Sequence, residues 1–152
     1  MARAVSAWDA SGQLYTAEAF TDGPECTRAV AVLVIRNPKG EAVWTDTFNT
    51  SQNMVLSGAA DVKAMQAALT EWIAPDDKSS TADLPEWAKD QPQPIQGEFP
   101  FYVEEDVTRD VYRDLRTKKL PMFCYVQGIE SQACLALEDG ALQKIGAQSF
   151  PG

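Results

Sequence analysis

Arg109, Arg113 and Arg116 recur at helical spacing in EDVTRDVYRDLRTKKL, residues 105–120. At 100° per residue the three gather within about 60° of one another, with Lys119 at the edge of the stripe. Guanidinium groups on successive helical turns offer planar, bidentate donors that match a carboxylate or a phosphate, so this spacing points to an anion clamp. A second reading starts from Asp106, Asp110 and Asp114, which form an adjoining stripe. Asp106 with Arg109 and Asp110 with Arg113 are i, i+3 pairs in the favoured order, each worth about 0.2–0.5 kcal/mol, and would turn the stripe into a solvated, self-neutralised face. Val107, Val111 and Leu115 fall within about 80° and are predicted as the buried stripe of the same helix. Tyr102, Tyr112 and Tyr125 lie close to it in sequence, where they can wall a pocket beside the arginines or sit in the core with their hydroxyls at the surface.

The chain has no histidine, which removes Ser-His-Asp and Cys-His catalysis and leaves Lys, Tyr, Cys and carboxylates as bases near neutral pH. GxSxG, GxxxxGK[ST] and GxGxxG are all missing, and no cofactor is expected. A carboxylate mechanism needs two acids held about 5–9.5 Å apart across a cleft. Glu104, Glu105 and Asp106 are adjacent and point in different directions, and Asp76 and Asp77 lack the alternating oxygen spacing of a calcium loop. Cys26, Cys124 and Cys134 supply only three soft ligands without a CxxC pair, so no metal site is expected.

The cysteines have a different use in FCYVQGIESQAC, residues 123–134. If its two strand-like arms pair around a turn centred near Ile129, Cys124 and Cys134 face each other at a Cα separation of about 4.5–5.5 Å, within disulfide range. A register shift of one residue would separate them, Cys26 is an alternative partner, and the remaining reading is three reduced thiols, those on strands buried as small hydrophobes.

These residues need a scaffold. At 152 residues the chain is predicted to form one α+β domain, a mostly antiparallel sheet with two main helices packed on one face. Residues 29–48 read as a β-hairpin around NPKG, its first strand buried on both faces. Val62, Met65, Leu69, Trp72 and Ile73 mark one face of a helix, with Ser57 as N-cap, Asp61 in the first turn and Pro75 as the stop. Residues 13–20 and 98–104 read as strands, and 121–147 as a three-stranded meander with an Asp-Gly turn at 139–140. Between the helices lies a Pro-rich excursion, about 75–98, in which LPEWA, residues 84–88, is predicted to form a helical turn and to dock Trp87.

With 22 acids against 13 bases the formal charge is −9, which repels a phosphate backbone and makes nucleic acid an unexpected partner. No apolar run approaches the roughly 18 residues of a transmembrane helix. Trp8, Asp9 and Ser11 interrupt the N-terminal segment before it reaches signal-peptide length, so the expected location is cytoplasmic. The alternative is a periplasmic or secreted mature form whose signal has been replaced by an initiator Met. The function expected from these features is a non-enzymatic binding or protein-interaction module. Its contact surface is the second helix with Trp87, and its partner a protein or a small anionic ligand. The alternative is a small enzyme that uses the arginines to hold an anionic substrate.

Overall fold

The computed structural model describes residues 1–75, 80–94 and 100–150; Asp76 and Asp77 lie outside the described residues, as do 95–99 in the Pro-rich excursion. The chain is α+β, with eight strands and two helices among the described residues. Its strands divide between two four-stranded antiparallel sheets where the sequence suggested one, and contacts cluster into two compact units. The first unit is Met1–Pro75 with Val126–Ile129, and the second Asp76–Tyr125 with Glu130–Gly152.

In the first unit, β1 (Arg3–Ala10), β2 (Gln13–Asp22), β3 (Val30–Arg36) and β4 (Ala42–Asn49) form a meander in chain order. Side chains alternate between faces, so Trp8 and Tyr15, opposite each other in register, meet as an edge-to-face pair on the inner face. Their strands join through Ser11 and Gly12, both at positive φ as in a type I′ turn. The hairpin of β3 and β4 forms as the NPKG turn predicts. Ala31, Leu33 and Ile35 are fully buried, and the other face closes along the strand, from Val30 at 42% exposed through half-buried Val32 to buried Val34.

Helix α1 (Val62–Trp72) buries Met65, Leu69 and Trp72, and Trp72 meets Phe48 of β4 edge to face. Its N-cap is Asp61, whose carboxylate accepts from the Ala64 amide at 2.7 Å; the predicted Ser57 lies outside the helix. Asp61 wins because its carboxylate also faces the positive helix end. The carbonyl of Val126 accepts from both the Trp72 indole and the fully buried Asn53 amide, so no polar atom there is left unpaired.

In the second unit, β5 (Phe101–Val103), β6 (Met122–Val126), β7 (Ser131–Glu138) and β8 (Ala141–Ser149) are ordered β5, β8, β7, β6. The meander follows the sequence reading, and Asp139 and Gly140 take the positive φ values of its tight turn. Helix α2 (Arg109–Lys118) starts at Thr108, whose hydroxyl accepts from the Val111 amide. That start changes the expected phase. Val107 is buried from the preceding loop, Tyr112 and Leu115 are the buried helical residues, and Val111 is 42% exposed. Tyr112 and Leu115 join Met122, Cys124, Cys134, Ala136, Ile145 and Phe101 in one apolar cluster, which places α2 on this sheet.

Candidate functional site

The segment 80–94 runs as a strap beside α2. It begins at Thr81, fully buried, whose hydroxyl donates to the Leu115 carbonyl and accepts from the Leu120 amide. A single 3-10 turn covers Thr81–Asp83, three residues before the predicted one at 84–88, where Ser80 caps it by accepting from the Ala82 amide. Leu84 is extended and the strap residues after it form no helix or strand, which frees their carbonyls for side chains of α2. Tyr112 donates its hydroxyl to the Pro85 carbonyl, Arg109 its Nε to Trp87 (3.0 Å) and Arg116 its Nε to Leu84 (3.1 Å).

Trp87 docks on its own unit. Its ring meets Tyr112 edge to face at 5.6 Å and its indole N–H donates to the Gln91 carbonyl at 2.7 Å. Between strap and helix lies a cleft of about 280 Å³, lined by Glu86, Trp87, Arg109, Tyr112, Arg113 and Arg116. All four residues singled out in the sequence as a contact surface thus meet at one place, although 22 and 32 residues separate the hydrogen-bonded partners. Of the three tyrosines only Tyr112 lines it; Tyr125 is buried and Tyr102 is half exposed.

The neutralised-face reading required Asp106 and Asp110 to pair with Arg109 and Arg113. Among the described residues neither pair forms. The ion pairs of α2 belong to Lys118, which reaches Asp114 at 3.0 Å and Glu138 at 2.8 Å. Two of the arginines hold the strap instead, since a guanidinium Nε edge finds in a fixed carbonyl a partner that costs less side-chain entropy than a mobile aspartate. Arg113, between them and exposed, has no side-chain hydrogen bond or ion pair among the described residues.

The electrostatic consequence is local. Arg109 and Arg116 spend Nε on the strap, so their Nη groups and the whole guanidinium of Arg113, unbonded among the described residues, are left for a ligand. Glu86, exposed, is the one acid among the described residues that line the cleft. Burial pushes the Tyr112 phenol well above its ordinary range, with the Arg116 charge opposing, so the phenol is neutral at physiological pH. It donates to the strap and is not available as a base.

Cys124 and Cys134 face each other on β6 and β7, as the pairing around Ile129 requires, with Cα atoms 4.1 Å apart and sulfurs at a disulfide distance of 2.10 Å. Both are buried beneath the strap in the cluster that holds Leu84 and Tyr112; Cys26 is a free, half-buried thiol. Among the described residues no three Cys, Asp or Glu side chains group as metal ligands, and no helix is long and apolar enough to cross a membrane.

No protein-family model, curated protein or solved structure matches this chain. The cleft therefore stands on its own geometry.

The sequence reading did not separate Tyr112, as the aromatic of the arginine stripe, from Tyr102 and Tyr125, and it did not reveal Glu86 as the counter-charge. The first was available as spacing, because 109, 112, 113 and 116 follow the i, i+3, i+4, i+7 pattern of a single helix face. The second depends on the path of the strap, for which no local pattern existed.

Proposed function

We propose that this chain is a binding module that holds an anionic group in the cleft between the 84–87 strap and α2. One observation carries the reading: three guanidinium groups with no carboxylate partner among the described residues surround one cleft, in a chain whose formal charge is −9. With no described carboxylate bonded to them, these arginines are open to a partner from outside. The excess of acid elsewhere disfavours an extended polyanion and favours a compact anion that fits the cleft.

Binding is better supported than catalysis. An enzyme acting on the anion would need an acid or base in the cleft, where Tyr112 already donates to Pro85 and Glu86 is exposed to solvent. The disulfide-distance pair Cys124 and Cys134 favours an oxidising compartment over the cytoplasmic location expected from the N-terminal segment.

The test is a calorimetric titration with sulfate, benzoate and phenyl phosphate, repeated on Arg113→Glu. Arg113 supports no other side chain, so the variant is expected to keep its far-ultraviolet circular dichroism. Losing a charge-assisted hydrogen bond costs about 1.5–3 kcal/mol, so affinity for the bound anion should fall roughly 10- to 100-fold. Saturable binding that Arg113→Glu leaves unchanged would remove the site from this cleft.

A further inference from the structure

We infer that the anion held by this cleft is a phosphate monoester in its doubly charged form; the inference rests on the anion-binding reading above and specifies its ligand.

Three features of the cleft lead there. The first is charge. Among the described residues, three guanidinium groups line the cleft against one carboxylate, that of Glu86, which leaves two positive charges in excess, and a phosphate monoester carries about −1.5 to −2 at pH 7. A lone carboxylate would leave one of them uncompensated. The second is the kind of hydrogen-bonding group on offer. The Trp87 indole, the Tyr112 hydroxyl and two of the guanidinium Nε groups are spent on Gln91, Pro85, Trp87 and Leu84 carbonyls. What remains on the arginines is N–H donors only, so the ligand must be a pure acceptor. Three acceptor oxygens on one phosphorus use those donors better than the two of a carboxylate.

The third feature is preorganisation. Arg109 and Arg116 lie about 10 Å apart along the helix axis, with Arg113 between them. Because the strap holds the two outer guanidiniums by Nε, their rotamer entropy is already spent before the ligand arrives, and only Arg113 has to be ordered. Half-buried Trp87, edge-on to Tyr112, forms the apolar wall against which the carrier of the phosphate packs.

The phosphate can be borne by a small molecule or by a phosphorylated side chain, and both share this chemistry. Titrations would use phenyl phosphate, benzoate, and a neutral pentapeptide with a central phosphoserine, at pH 7.5 and pH 5. Arginine keeps its charge over this range, so the ligand is the main titrating partner. The phosphate second pKa near 6 makes phenyl phosphate bind about tenfold more weakly at pH 5, if the dianion is the bound form. Of the other groups facing the cleft, Tyr112 stays neutral, and any protonation of Glu86 would strengthen anion binding, the opposite direction.

The expected result is phenyl phosphate at least tenfold tighter than benzoate at pH 7.5, losing that advantage at pH 5. Tighter binding of the phosphopeptide than of phenyl phosphate assigns the phosphate to a protein side chain, and the reverse assigns it to a small molecule. Benzoate binding as tightly as phenyl phosphate, with no pH dependence, overturns the phosphate inference and leaves the anion cleft standing. No binding of any of the three overturns both.

Discussion

Gly146→Ala destabilises the fold by about 3 kcal/mol or more. Gly146 lies in β8, opposite Val103 of β5 and Cys134 of β7, where the β7–β8 register shifts. Its backbone has no unusual φ; the requirement is space. A Cβ there would stand 2.3 Å from the Tyr102 carbonyl oxygen, 2.8 Å from the Phe101 ring and 2.9 Å from the Val103 Cα. Two of those three atoms are backbone, so no rotamer change relieves the contact and β5 has to move away from β8. β5 is only three residues long and brings Phe101, 2% exposed, into the cluster that carries Tyr112. Prising it off uncovers that ring. The check is the urea unfolding midpoint at unchanged slope, and a loss below about 1 kcal/mol would mean that β5 and β8 are not packed as described.

Replacing both Cys124 and Cys134 with alanine lowers stability by about 2–3 kcal/mol in the chain-entropy account of a disulfide that closes a short loop. The sequence separation is 10 residues, so the loop is small and the effect lies toward the modest end of the range. Both positions are changed together because a single substitution leaves a lone thiol in the buried cluster. Reductant should lower the unfolding midpoint of the natural chain and leave the double variant unmoved. Alkylation of denatured, unreduced protein should modify Cys26 alone, and alkylation after reduction all three thiols. Three reactive thiols before reduction, in protein purified under air, would contradict the pairing.

Much of the fold was readable because its signals are local. The NPKG turn between β-branched runs, the Asp-Gly turn at 139–140 and the apolar periodicity of α1 each lie within a few residues. β1 went unread because Ala4, Ala7 and Ala10 have weak strand preference. The alternation around Trp8 and the Ser11-Gly12 turn were its only marks. The phase of α2 slipped because Val107 was placed on the helical wheel although the helix begins beyond it, after the Thr108 cap. That slip moved burial from Tyr112 to Val111. In the site, Arg109, Arg113, Arg116 and Trp87 were visible as types and spacing. The carbonyls of Leu84, Pro85 and Trp87 that organise them were not, because a backbone acceptor has no sequence signature. Asp106 and Asp110 looked like partners for the arginines by spacing alone; the strap took Arg109 in place of Asp106, whereas Arg113 pairs with neither Asp110 nor the strap among the described residues.

If the cleft between strap and α2 takes an anion on Arg109, Arg113 and Arg116, a nitrogen-15 NMR titration with phenyl phosphate that follows the arginine Nε–H signals and the Trp87 indole will register it. Saturable shifts that share one binding curve are expected for these three arginines, with Trp87 moving alongside and Arg3, Arg28 and Arg36 unmoved. Small, unsaturating shifts spread over all the arginines would contradict binding in the cleft.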